Sequence, residues 1–160
     1  MEFARIGTLI LNIFDKNDRK ALEFIKKLCH DESILSRFQG IMIGLSNKNN
    51  VFFDHSFLVS HNNEFIGYIN IGKFNNEEKS IYLRAAVDKE KRGFGYGKTI
   101  LQEITEYIFK NYPQVESIRL KIASDNKASL MTANSCGYQW LENDFYIKYN
   151  PYLKKNKKIK

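Results

Sequence analysis

The sequence predicts a domain of the α/β (α+β) class, and three patterns along its 160 residues carry that expectation. Ile81, Leu83, Ala85 and Val87 alternate with Tyr82, Arg84, Ala86 and Asp88, the period of a half-buried strand. A glycine loop then leads into Ile100, Leu101, Ile104, Tyr107 and Ile108 at helical spacing. A second strand pattern, Ile118, Leu120 and Ile122 around Arg119 and Lys121, is likewise followed by a helical segment that ends at Gly137-Tyr138. Third, strand-like runs over 53–60 and 64–73 flank His61-Asn62-Asn63 and read as a hairpin. With 43% apolar and 14% aromatic residues, the chain has the size and the core of one domain.

In chain order, residues 8–14 read as an opening strand. Asp15-Lys16-Asn17-Asp18 is the polar start of a helix, where short acceptors bond the first free amides. Ala21, Leu22, Ile25, Leu28 and Cys29 form one apolar stripe, the buried face of that helix. Residues 31–38 continue as a second short helix that stops at Gln39-Gly40, and residues 46–50 form a polar loop. After the hairpin, Asn75-Asn76-Glu77-Glu78 turns into the strand over 81–87. The helix beyond the glycines begins at Tyr96 or Gly97, the next strand covers 117–123, and the aromatic-rich stretch 141–149 supplies closing strands before Pro151. The order is β-α-α-β-β-β-α-β-α-β-β. No repeat or linker interrupts it, so one domain is expected over 1–153, followed by a basic, disordered tail over 154–160.

The most informative stretch is Lys91-Arg92-Gly93-Phe94-Gly95-Tyr96-Gly97-Lys98-Thr99, placed between strand and helix. Glycines there permit positive φ and a close backbone approach, while the unpaired amides and dipole of the helix start favour an anion. Two familiar phosphate loops fail on spacing. A P-loop needs a glycine five positions before Gly97, and that position is Arg92. A dinucleotide fingerprint needs Gly-x-Gly-x-x-Gly, whereas Gly93, Gly95 and Gly97 run Gly-x-Gly-x-Gly. Arg92, Gly95 and Gly97 do satisfy [Gln/Arg]-x-x-Gly-x-[Gly/Ala], which resembles the acyl-CoA pyrophosphate loop of the GNAT N-acetyltransferase superfamily. Asn126, Ser129 and Gly137-Tyr138 resemble the Asn-x-x-[Ser/Ala]…Gly-[Phe/Tyr] segment of the same family. An ordinary α/β domain whose glycines only turn a strand into a helix accounts for the first segment, not for the ordered set. The resemblance runs over 64–149 and more loosely over the residues before it.

The resemblance implies a mixed, mostly antiparallel twisted sheet of about six to seven strands, splayed in the middle and flanked by about four helices. It implies acetyl-CoA as co-substrate, lying in a V-shaped opening between the strand that ends at Val87 and the strand over 117–123. Its pyrophosphate would rest on Arg92, Gly93, Phe94, Gly95, Tyr96, Gly97 and Lys98. Backbone groups near Ala86 and Val87 would pair with the pantetheine as an added strand does, and Asn126 and Ser129 would lie along that arm. An amine acceptor is then acetylated by orientation against the thioester, with proton removal from the ammonium and proton donation to the thiolate.

One position departs from the commonest family pattern. Many members carry a tyrosine seven residues after the asparagine as acid for the leaving thiolate, and this chain has Ala133. Ser129 with Ala133 instead resembles the branch containing ribosomal-protein N-terminal and small-amine acetyltransferases. There a serine or water takes the role; Ser129 reads equally as a helix-start residue bonding backbone. Candidates for the base are His55, Asp54, Tyr68, Tyr82, Glu142 and Tyr146. Ser129, Tyr146 and His55 are the catalytic candidates, although a lone histidine is more often structural and Tyr146 more often packs. Ala133 also keeps a second class open, a non-catalytic acyl-CoA-binding sensor or interaction module. The acceptor's identity stays open too.

Five of the net +7 charges lie in Lys154, Lys155, Lys157, Lys158 and Lys160, a solvated end by default. A tail contact with nucleic acid or the ribosome is the less favoured reading, and a homodimer is left open. Cys29 and Cys136 sit at apolar helix positions and read as buried reduced thiols, so a cytoplasmic protein is expected. No signal-peptide pattern opens the sequence and no apolar run reaches the roughly 18 residues of a membrane span, so no membrane partner is expected. No metal-ligand spacing occurs, and no metal is expected.

Overall fold

A computed structural model describes residues 2–29 and 52–153. The expected helix over 31–38, the loop over 46–50 and the tail over 154–160 lie outside the described residues, as does the side chain of Cys29. Strands β1 (Glu2–Ile6) and β2 (Leu9–Asn12) open the chain, followed by α1 (Arg19–Cys29). Then come β3 (His55–His61), β4 (Glu64–Ile71), β5 (Ser80–Val87), α2 (Tyr96–Asn111), β6 (Ser117–Lys121), α3 (Lys127–Ser135), β7 (Gln139–Glu142) and β8 (Phe145–Tyr149).

The expected single opening strand over 8–14 is instead the second half of a hairpin. Gly7, at φ +59, makes the turn that folds β1 back on β2. Strand β1 was not apparent because only Ile6 of its five residues is buried, which leaves no clear alternation. The described residues therefore hold eight strands and three α-helices, against about six to seven and about four. The hairpin at 61–64 is as expected: Asn62 and Asn63 both take positive φ, the conformation of a two-residue type I′ turn, and His61 pairs with Glu64. Asp18 starts α1 by accepting from the Lys20 and Ala21 amides at 3.0 and 3.3 Å.

The strands form one sheet in the order β1-β2-β3-β4-β5-β6-β8-β7. Every neighbouring pair is antiparallel except β5 with β6, so the sheet is mixed and mostly antiparallel. One face carries the larger core, in which Phe57, Ile69, Ile71, Ile81 and Leu83 pack with Ile100, Ile104 and Ile108 of α2 and Ala133 of α3. The other face is covered over β3 and β4 by α1, whose Ala21, Phe24, Ile25 and Leu28 meet Leu58 and Tyr68. Burial of a large aliphatic side chain contributes about 1.5–3 kcal/mol, so these two layers fix the sheet from both sides.

Candidate active site

The central pair of strands separates. Strand β5 bonds to β4 along its upper half, with Leu83, Ala85, Ala86 and Val87 all in register. It pairs with β6 only at Ser80, Ile81 and Tyr82, opposite Ser117, Ile118 and Arg119. Among the described residues, the β6-side edge of β5 beyond Tyr82 has no strand partner, and β6 continues against β8 alone. The opening thus lies between residues 83–87 and the end of β6, where the family resemblance implies it. A backbone edge left unpaired in mid-sheet is a template for another extended chain.

The glycine loop closes the upper end of this opening, and its glycines differ. Gly93 and Gly95 sit at φ +87 and +81, and a Cβ on either would meet nothing within 4 Å. Their requirement is conformational, above open space. Gly97 lies in the first turn of α2 with no positive φ, and its Cβ would stand an ordinary 3.8 Å from Val87 Cγ2. Positive φ is therefore needed at two of the three glycines. Gly95 caps α2 without a side-chain bond, and the first helical bond runs from the Thr99 amide to Gly95 O at 3.1 Å. The amides of Tyr96, Gly97 and Lys98 thus precede the helical ladder, at the positive end of a 16-residue dipole. Arg92 donates from Nε to Val87 O at 3.1 Å and ties the loop to the end of β5. Phe94 is 71% exposed, and its ring lies 6.2 Å from that of Tyr96.

Beneath the loop stands a residue that sequence reasoning missed. The Asp88 side chain is 4% exposed and accepts from Lys27 Nζ of α1 at 2.9 Å. Its amide donates to Ile66 O, its carbonyl accepts from the Lys91 amide, and its carboxylate accepts from the Glu90 amide. Lys27 also pairs with Glu90, and these two bonds raise its pKa, Glu90 contributing more. Lys91 pairs with Glu64 across the loop. An aspartate at a strand end before a short turn is a local signal, but a partner 61 residues away is not.

On the far side, Asn126 caps α3 by accepting from the Ser129 amide at 3.2 Å. Ser129 is half-buried in the first turn of α3, and its amide is what that bond uses. Ala133 is 1% exposed within the core, and Gly137 at φ +88 ends the segment. Tyr138 is buried, with its hydroxyl 2.6 Å from Thr105 Oγ1. Burial pushes the Cys136 thiol up, and the cysteine is free and buried, as expected.

The catalytic candidates do not converge. Tyr146, half-buried on β8, pairs with Leu120 just past the last β5–β6 pair and so flanks the opening, one strand back. His55 is fully buried in β3, with its ring 4.6 Å from Phe57 and neither ring nitrogen hydrogen-bonded among the described residues. Desolvation lowers its pKa, with Asp54 opposing. Tyr68 is buried beneath α1, Asp54 is exposed at a positive-φ turn, and Glu142 is exposed on the outer strand β7. Tyr82, at 37% exposure, stands at the fork of the sheet. No group of three metal-ligating side chains occurs among the described residues, and no helix there is long and apolar enough to cross a membrane.

A mixed sheet split beside a glycine-capped helix start is the architecture of an acyltransferase domain. Residues 27–138 match the acetyltransferase (GNAT) family, and the chain belongs to it. No curated protein sequence matches closely enough to count as a relative. Among solved structures, RimL, a ribosomal-protein alpha-N-acetyltransferase in complex with coenzyme A, is 17% identical with a TM-score of 0.64, over 93% of this chain and 98% of that one. Spermidine N-acetyltransferase from Vibrio cholerae, in complex with CoA and spermine, is also 17% identical, at 0.68 over 90% and 96%. A GNAT acetyltransferase from Bacillus anthracis reaches 0.71 at 14% identity, over 91% and 97%. The TM-scores show a shared fold, and at these identities the likeness is one of fold alone.

Proposed function

We propose that the protein transfers an acetyl group from acetyl-CoA to a primary amine, of a small molecule or a protein N-terminus, by direct attack in a ternary complex. The observation that carries this reading is the unpaired edge of β5 over 83–87, which runs into a loop whose positive-φ glycines leave open space above them. The residues fit the co-substrate: amides at 96–98 for the pyrophosphate, the β6-side backbone edge of β5 over 83–87 for the pantetheine, and the cap at Asn126 with Ser129 on the opposite arm. Acetyl-CoA supplies the activated carbonyl. The amine nitrogen bonds to that carbon, the C–S bond breaks, and the sulfur leaves with the electron pair. Base or water takes the ammonium proton, and Ser129, Tyr146 or water protonates the thiolate.

The buried Ala133 supports a second reading, an acyl-CoA-binding module without turnover, because no hydroxyl stands at that position. Free-thiol release from acetyl-CoA with a panel of amines, together with mass spectrometry of the products, separates the two. Acetylated amine and stoichiometric thiol support transfer. A thermal shift with acetyl-CoA and no thiol release supports the module. Residues 1–153 form the working domain in either case.

A further inference from the structure

The face of the opening away from α2 and α3 carries charge that the family assignment does not explain. Because β5 and β6 are parallel and last pair at Tyr82 opposite Arg119, the next residues on that face are Arg84 and Lys121, at the same level on opposite lips. Both are exposed, and neither has an acidic partner among the described residues, whereas Arg119 is paired with Glu78. Beside them on the same face the Tyr82 and Phe145 rings meet edge-on at 5.9 Å, and Lys121 Nζ stands 5.9 Å from the centroid of Phe145, its partner on β8. Among the described residues, helix α1 covers this face over β3 and β4 and packs on β5 at Ala86, while Arg84 is exposed.

The loop and helices that would hold the co-substrate occupy the other face, so an acceptor approaches a thioester in the opening past these two cations. Resting on the acetyl-transfer reading, we propose that Arg84 and Lys121 select an acceptor whose primary amine lies beside an anionic group, a carboxylate or a phosphate, and disfavour polycations. Paired cations at the rim of a cleft attract anions and repel cations, an effect that weakens with salt.

The test is kcat/KM at low salt for matched acceptors. They are a short peptide with a free N-terminus followed by aspartate and glutamate, the same peptide with glutamines, 2-aminoethyl phosphate, and spermidine. At least about a tenfold preference for an anionic acceptor over both the glutamine peptide and spermidine is expected, falling several-fold in Arg84→Gln and Lys121→Gln. The acetyl-CoA thermal shift of both variants should stay as in wild type. Preference for the acidic peptide identifies the anion as carboxylate, and preference for aminoethyl phosphate identifies it as phosphate. Spermidine or the glutamine peptide used as well as the acidic acceptors overturns the inference, as does a preference that survives both substitutions. Failure of wild type to acetylate any of the four, with the acetyl-CoA shift intact, overturns the transfer reading itself.

Discussion

Gly95→Ala should cost stability and Gly97→Ala should not, although the residues are two apart in one loop. Gly95 holds φ +81 where a Cβ would meet nothing within 4 Å, so its replacement carries a conformational cost without a clash. For an L-residue in the left-handed region that cost is about 1–2 kcal/mol. In a domain of this size each kcal/mol lowers Tm by about 2–4 °C, which puts the expected loss at about 2–8 °C. Gly97 is helical, with a Cβ site 3.8 Å from Val87 Cγ2, so alanine there gains up to about 1 kcal/mol of helix propensity. Its Tm should hold or rise. Asparagine tolerates positive φ, so Gly95→Asn should recover part of what Gly95→Ala loses. Thermal melts with and without acetyl-CoA read all three variants. Equal losses at both glycines, or an unchanged Gly95→Ala, would refute the argument that backbone conformation, not space, fixes this loop.

Three further outcomes follow from burial. Desolvation lowers the His55 pKa, so the unfolded chain binds a proton that the folded one refuses; stability is present above about pH 6.5 and lost as pH falls below it. His55→Phe should flatten that acid limb in melts between pH 7 and 5 and keep turnover, whereas a loss beyond about 100-fold would return His55 to the reaction. Ser129→Ala should lower turnover by about 10- to 100-fold at unchanged acetyl-CoA affinity if its hydroxyl serves the thiolate, and wild-type turnover would leave water or Tyr146 as donor. Ala133→Tyr forces a phenol into a site that is 1% exposed and should cost about 1–3 kcal/mol in denaturant unfolding, with no gain in turnover.

What could be read from the sequence was local. The alternation over 81–87, the glycines and the helical spacing from Ile100 are contiguous, and together they located β5, the loop and α2 almost to the residue. The fork of the sheet followed from the family resemblance, not from periodicity, since three paired residues and five unpaired ones look alike in an alternating run. Strand β1 escaped because an edge strand with one buried residue has no pattern to show. His55 lies away from the acceptor side for a different reason. Alternation tells which residues share a face but not which face a helix covers, so the α1 layer over Tyr68, which shares the face of Ala86, shows only in the fold. Gly97 was grouped with its neighbours because residue type does not report φ.

The least legible contact is also the one that makes the loop intelligible. Two left-handed glycines ahead of a helix do not by themselves hold an anion cradle in shape, because glycine gives up more conformational freedom on ordering than any other residue. Asp88 opposes that loss from below, with its amide, carbonyl and carboxylate all engaged and its charge met by Lys27. A buried carboxylate deprived of its partner is costly, so the pair resists any loop shape that separates them. Because Lys27 belongs to α1, the helix that flanks Arg84 and the acceptor side is fastened to the loop on the co-substrate side. The loop is therefore held in shape by the protein itself, and for the pyrophosphate role proposed above this lowers the ordering cost of binding and leaves more of the interaction energy for affinity.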